Sequence, residues 1–287
     1  MNFLGIDGGG THIAASLINE SGDALKKIEI ETGVNLTSVD QERLKSIISK
    51  IKTKTTEVDG IVVSFSGAGT PQRKKQLLDI FKEIFDINNI VVYNDGESIL
   101  YSLFKGSSLA IVIAGTGSLV IGMDKDQNIV RSGGWGHLFD DVGGGFWIST
   151  RIFQEAFRFR DKLREFDPIF NRLLKFYSCE NIEELTSLQG RKDFKTIISS
   201  FAKKALEKPT NLVEEIINEG ISDLTLRCKK ILDSLNINDL YLSGSLFKSE
   251  YYLQRFQEFM YHYSLNPLNF DVSKQMALLA RKYFLTK

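Results

Sequence analysis

One unit occurs twice in this chain, and it limits the fold more than anything else. Residues 3–6 form an apolar run that stops at Asp7 and three consecutive glycines, Gly8, Gly9 and Gly10, and residues 13–18 form a second apolar run. About a hundred residues on, LAIVIAGTGSLVIGM (109–123) repeats the device: a strand enters Gly115, Thr116, Gly117 and Ser118, and another strand leaves. Two β-type runs joined by a short Gly-rich turn are a hairpin signal. An internal repeat of a supersecondary unit predicts two similar domains, with a ligand in the cleft between them.

The first turn has more glycine than a hairpin needs. Without Cβ atoms, three glycines let an oxygen-rich group approach their backbone N–H groups. Thr11 adds a hydroxyl and Asp7 a carboxylate. That set suits a polyphosphate with a divalent cation; a tight turn with spare glycines is the equal alternative.

Composition narrows the classes. The chain has 287 residues, 43% hydrophobic and 25% charged, with a formal net charge of zero. This is a globular composition with room for two domains. The charge balance argues against nucleic acid as a partner, and apolar runs such as 109–114 are too short to span a bilayer. The chain begins directly with a strand, so no signal peptide is expected. Cys179 and Cys228 make neither a disulfide framework nor a cluster site, and the expected location is the cytoplasm, with free thiols. His12, His137 and His262 show no metal spacing.

In order, a third strand is expected over 24–31. Ser38 with Gln41 has a capping-box pattern, before a helix with Leu44, Ile47, Ile48 and Ile51 on one face. A buried strand over 60–65 ends at Ser66. Thr70-Pro71 then starts a helix. A strand over 90–93 ends at Asn94-Asp95-Gly96, and a short helix runs over 97–104. The second half restarts at 109. A loop over 131–145 precedes mostly helical chain to about 235, and a strand over 239–242 ends at Ser243-Gly244-Ser245. A helix over 248–261, an edge strand over 268–272 and a terminal helix over 273–284 complete the reading. Alternating strands and helices mean α/β layers. The domains are placed at 1–106 and 107–287, with the last helix able to pack back on the first.

Asp7, Asp95, the 115–118 turn and Gly244-Ser245 all follow strands, where α/β sheets bind ligands. Taken alone, Asp95 reads equally well as a helix N-cap, and Asp140 and Asp141 as solvated loop carboxylates. Together, the motifs resemble the superfamily of sugar kinases and actin-like ATPases. GIDGGGT (5–11) looks like its first phosphate motif, AGTGS (114–118) like the second, and YLSGSLFKS (241–249) like the adenosine motif. The GGWGH run (133–137), an acidic pair and FWI (146–148) are similar to the N-acetylglucosamine kinase branch. That branch shares a family with archaeal broad-specificity hexokinases and the ATPase subunits that activate benzoyl-CoA reductase. The resemblance implies two ribonuclease H-like (actin-like ATPase) α/β domains with an interdomain cleft.

It also implies roles. Asp7 is similar to the Mg2+-organising aspartate. Gly9, Gly10, Thr11 and Thr116 would hold the phosphates of ATP, with Gly244 and Ser245 at the nucleoside. Asp95 looks like the catalytic base. Asn35, Ser66, Ser118, Gly134, Trp135, Gly136 and Asp141 lie where the family binds the sugar. The implied activity is ATP-dependent phosphorylation of the 6-hydroxyl of N-acetylglucosamine or glucosamine. The alternatives are a broad hexokinase, an ATPase activator of a reductase and a silent sugar sensor; a homodimer is left open. One departure stands out: Val142 occupies the place where the family usually carries Glu, and Asp140 is the nearest substitute. The glycine pattern usual near the last helix is also absent from 271–277. Trp135 reads as an anchor of its own loop in the core before it reads as a sugar-stacking ring, and His137 as structural.

Overall fold

The computed structural model describes residues 1–9, 12–31, 40–191 and 193–285. Contacts divide the chain into two units, Met1–Lys105 with Asn269–Lys287, and Gly106–Leu268.

The first unit is a five-stranded sheet in the order β3-β2-β1-β4-β5. Its strands are β1 (Asn2–Gly8), β2 (Ile13–Asn19), β3 (Ala24–Ile30), β4 (Gly60–Phe65) and β5 (Ile90–Tyr93). β2 pairs antiparallel with both β1 and β3, whereas β4 pairs parallel with β1 and β5 parallel with β4. The helices are α1 (Gln41–Lys52), α2 (Pro71–Phe85), α3 (Asp95–Leu103) and, from the far end of the chain, α9 (Val272–Phe284). Strand alternation sends Leu4 and Ile6 to one face, in a core with Leu44, Ile48, Leu77 and Phe81 from α1 and α2. Phe3, Ile18 and Val62 point the other way, onto Met276, Leu279 and Phe284 of α9. Both faces are covered, as the long apolar runs demand.

Gly5 explains how α9 comes so close. A Cβ there would collide with the backbone of Ser273 and Ala277. This glycine, inside the first motif, serves helix packing rather than a ligand.

The second unit repeats the topology. β6 (Leu109–Ala114), β7 (Ser118–Met123), β8 (Ile129–Gly133), β9 (Asp239–Ser243) and β10 (Ser264–Pro267) lie in the order β10-β9-β6-β7-β8. Again the hairpin strands are antiparallel, and β9 pairs parallel with β6. Between β8 and β9 come α4 (Gly145–Arg160), α5 (Pro168–Tyr177), a 3-10 helix (Glu183–Gly190), α6 (Phe194–Glu207) and α7 (Asn211–Leu235); α8 (Glu250–Phe259) follows β9. One core joins Val112 and Val120 of the sheet to Ile148, Phe170, Phe201, Ile221 and Phe256 of these helices.

Local expectations failed where competing groups were closer. The strand expected over 268–272 is instead β10, Ser264–Pro267, because this segment pairs with β9 through Leu265 and Leu240. Asp271 cannot extend it, since its carboxylate caps α9. α1 is capped by Asp40, which accepts from the Arg43 backbone N–H at 2.8 Å; Ser38 lies outside the described residues. Thr70 does cap α2 with Pro71 behind it. Cys228 is buried within α7, and Cys179 follows the end of α5. No helix among the described residues is long and apolar enough to cross a membrane.

Candidate functional site

In the first unit, β1 carries Asp7 to the edge of the Gly turn. Gly9 N–H donates to the His12 carbonyl at 3.0 Å, and Ser66 N–H donates to the Gly8 carbonyl at 2.9 Å. Gly9 and Ser66 therefore lie at one turn; Gly10, Thr11 and Asn35 lie outside the described residues. Partial burial disfavours the charged form of the Asp7 carboxylate and pushes its pKa up to about 6. His12 opposes this, and the neighbouring carboxylates of Asp95 and Asp271 add to it.

Asp95 is not the cap of α3. Asn94 is: its side chain accepts from the Glu97 N–H at 2.9 Å, and the Glu97 carboxylate accepts from the Asn94 N–H at 3.1 Å. Lys74 clamps Glu97 at 2.6 Å. The reading of Asp95 as an N-cap is corrected, because the capping box one residue earlier already satisfies the helix end. Asp95 is exposed at the first helical position, its carboxylate accepting from the Gly96 N–H at 3.1 Å.

Two serines fix that position. Asp7 is in register with Ser64 of β4. The Ser64 hydroxyl donates to the Ser98 hydroxyl at 2.9 Å, and Ser98 donates to the Asp95 carbonyl at 2.8 Å.

Sequence reasoning missed Asp271. It caps α9 by accepting from Lys274 N–H, and it also accepts from the Ser273 hydroxyl at 2.7 Å. Burial acts upward on its pKa, but bonds from Ser273, Lys27 and Lys274 hold it below the ordinary carboxylate value. Its only sequence signal was an Asp three residues before Lys274 at a helix start.

A divalent cation fits this donor set. Among the described residues no group of three or more His, Cys, Asp or Glu side chains is placed to hold a metal. Mg2+ does not need such a cage: one or two carboxylates plus substrate phosphates and water suffice. A partly buried carboxylate that is desolvated, with Asp95 and Asp271 adding to the shift, would gain from a cation beside it.

The second unit builds its turn from backbone contacts. Gly115 N–H donates to the Gly117 carbonyl at 2.9 Å. The first N–H groups of α4 close on it, Gly145 to the Gly115 carbonyl at 2.7 Å and Phe146 to the Thr116 carbonyl at 2.8 Å. A Cβ at Gly144 would sit 2.6 Å from the Gly117 backbone. Gly244 has φ +107°, a conformation glycine adopts without strain, and a Cβ there would strike the Ala114 carbonyl. The Ser245 hydroxyl lies 3.8 Å from where a Cβ of Gly115 would be. Thr116, Gly244 and Ser245 are thus gathered at the ends of β6 and β9.

The 133–145 loop is braced from within. The Ser118 hydroxyl donates to the Val142 carbonyl at 2.7 Å. Asp140 pairs with Arg227 at 2.8 Å and accepts from the Trp135 N–H. Asp141 is only 5% exposed, and burial raises its pKa, opposed by Lys195. Asp140, Asp141 and Ser118 therefore hold the loop in shape, and Val142 lends its carbonyl.

Trp135 is 67% exposed, with the Arg131 guanidinium 4.4 Å from its ring. The expectation of a core anchor is overturned: positive φ at Gly134 and Gly136 turns the loop outward on either side of it. His137 is structural, its ring edge-on to Phe146 at 4.9 Å and Phe194 at 5.7 Å, and burial lowers its pKa.

A family model, the BadF/BadG/BcrA/BcrD ATPase family, matches residues 4–267. The chain belongs to this family. A family member of this kind is similar to the N-acetylmuramic acid/N-acetylglucosamine kinase of Clostridium acetobutylicum, at 27% identity covering 92% of this chain and 90% of the relative. It is also 27% identical to the N-acetyl-D-glucosamine kinase of Dictyostelium discoideum, over 78% of this chain and 74% of the relative. Among solved structures, a Porphyromonas gingivalis protein named as a candidate N-acetylglucosamine kinase superposes with a TM-score of 0.79, at 16% identity, over 98% of this chain and 99% of its own. A Streptomyces griseus ROK-family glucokinase holding glucose and AMPPNP gives 0.65, at 14% identity, over 98% and 100%. The fold of this ATPase-family chain is that of these sugar kinase structures, two α/β units each with a five-stranded mixed sheet.

Proposed function

We propose that this chain is an ATP-dependent kinase that transfers the γ-phosphoryl group of ATP to the 6-hydroxyl of an amino sugar, N-acetylglucosamine or glucosamine. The observation that carries the reading is Asp95: an exposed carboxylate, relieved of capping by Asn94 and tied through Ser98 and Ser64 to the strand of Asp7. Membership in an ATPase family and the amino sugar kinases among its relatives support the same reaction.

Each residue then has one task. Asp95 accepts the proton of the 6-hydroxyl as its oxygen bonds to the γ-phosphorus; the bond to the β–γ bridging oxygen breaks, and ADP leaves. Gly9, Gly10, Thr11 and Thr116 would bind phosphate oxygens, while Gly244 and Ser245 would border the nucleoside. Asp7 would hold Mg2+, which neutralises charge on the phosphate oxygens when bound. Trp135, Gly134 and Gly136 would present the sugar-facing side of their loop, with Ser118 and Asp141 holding it from behind; Asn35 and Ser66 would also contact the sugar.

The test is ADP release with Mg-ATP against glucose, mannose, glucosamine, N-acetylglucosamine, N-acetylmannosamine and N-acetylmuramic acid, with a no-sugar blank. Release confined to amino sugars is expected. Release with plain hexoses at equal kcat/KM replaces the amino sugar by hexoses in general, and no sugar-dependent release ends the kinase reading.

A further inference from the structure

Arg131, Arg227 and Lys195 each contact the 131–145 segment, and the two arginines are committed to it. Arg131 donates to the carbonyls of Gly133 and Gly134 and lies over Trp135. Arg227 bonds Asp140 at 2.8 Å and Asp223 at 2.6 Å. The third, Lys195 in the first turn of α6, differs. Its ammonium is 3.8 Å from Asp141 Oδ2, close enough for an ion pair and too far for a hydrogen bond. The lysine side chain is 27% exposed, whereas that of Asp141 is almost wholly covered.

Asp141 is held tightly. Its backbone is left-handed, at φ +61°, and its carbonyl accepts from the Gly144 N–H at 3.0 Å. Its carboxylate lies under the phosphate-type turn, with Oδ2 2.5 Å from where a Cβ of Gly117 would be. One carboxylate therefore touches the turn on one side and draws the ammonium on the other. α6 is fixed to the same place one turn further on: the Ser199 carbonyl lies 3.3 Å from the Cβ position of Gly145, whose N–H bonds the Gly115 carbonyl. Turn, loop and α6 form one packed piece with an accessible positive charge beside it.

We propose that the Lys195 ammonium contacts the terminal phosphoryl group of the nucleotide at the 115–118 turn, and that Asp141 is the positioning residue that aims it there. This deepens the kinase reading and rests on it for placing phosphate at Thr116. Lysine binds phosphate as a compact point charge with three donors. In phosphoryl transfer the charge to be stabilised is spread over the γ-oxygens, so a preorganised cation at that end favours the transition state. A carboxylate anchor at 3.8 Å directs the ammonium without occupying its donors.

The experiment is calorimetric titration of wild-type, Lys195→Met, Lys195→Arg and Asp141→Asn proteins with AMP-PNP, ADP and AMP in the presence of Mg2+, alongside steady-state kinetics. Lys195→Met should weaken AMP-PNP at least tenfold while changing ADP and AMP less than twofold. Lys195→Arg should recover most of the AMP-PNP affinity. kcat should fall in Lys195→Met with the sugar KM unchanged, and Asp141→Asn should show a smaller loss of AMP-PNP affinity together with a raised sugar KM, because Asp141 also holds the 133–145 loop. Unaltered AMP-PNP affinity in Lys195→Met, or equal loss for all three nucleotides, overturns the proposal in favour of a scaffolding pair. If Lys195→Met does not fold, Lys195→Gln carries the same comparison. The titrations need no sugar, so a failure of sugar-dependent ADP release leaves their outcome readable.

Discussion

The Ser64 hydroxyl donates to the Ser98 hydroxyl across 2.9 Å in the interior of the first unit, and Ser98 passes its own hydrogen to the Asp95 carbonyl. Each hydroxyl has one hydrogen to give, so the direction of the chain is set. It couples the strand beside Asp7 to the residue proposed as the base. Ser98→Ala would leave the buried Ser64 hydroxyl without its acceptor. We expect about 1–3 kcal/mol of lost stability and about a tenfold fall in kcat, with the ATP KM unchanged. Denaturant unfolding and initial rates measure the two separately; a stability loss with full kcat would disconnect the pair from Asp95.

Asp95→Asn should lower kcat by about 10²–10⁴, the usual worth of a general base. Because Asn94 and Glu97 cap the helix, the fold should lose no more than about 1 kcal/mol, the interaction of one charge with a helix end. Near wild-type turnover would remove Asp95 from the chemistry.

Asp7 predicts a pH dependence. Its ordinary value is 3.8 and its folded value about 6. Between these pH values the folded chain holds a proton that the unfolded chain has released, so its contribution to stability falls as pH rises from about 4 to about 6. Beyond that the charged carboxylate costs the ligand-free fold about 3 kcal/mol at most. Asp7→Asn should be more stable than wild type at pH 7, with the difference vanishing at pH 4. Tm against pH for both proteins checks this. Saturating Mg-ATP should shrink the gap if the cation sits at Asp7.

Gly5→Ala is expected to cost about 3 kcal/mol or more by forcing α9 off β1. Thermal melts would show it. A melt within two degrees of wild type would mean that α9 shifts without penalty.

Trp135→Ala separates an anchor from a contact. With its ring 67% exposed, its loss should change stability by about 0.5 kcal/mol or less. The sugar KM should rise at least fivefold, with the ATP KM unaltered. Loss of stability with an unchanged sugar KM would restore the anchoring role.

Much was readable from local order. The repeated strand–glycine-turn–strand units, the α2 start at Thr70-Pro71 and the buried strands follow from periodicity and turn chemistry, which act between near neighbours in the chain. The repeat also foretold that both units share one topology. Strand ends were harder. β10 is four residues long and owes its place to pairing with β9 rather than to its own pattern.

The site divides the same way. That Asp7, Gly9, Asp95, Thr116 and Gly244 stand at or just beyond strand ends was legible, because strand runs and the turns after them follow local order. Which aspartate pairs with Arg227, and that Trp135 faces outward, were decided only by tertiary structure. So were the approach of Asp271 to Asp7, 264 residues away in the chain, and the pairing of Lys195 with Asp141. Propensity and spacing report the backbone conformation a few residues can reach by themselves. Burial, and the choice of partner for a charge, depend on which distant segment packs against them, and that is known only once the whole chain has folded.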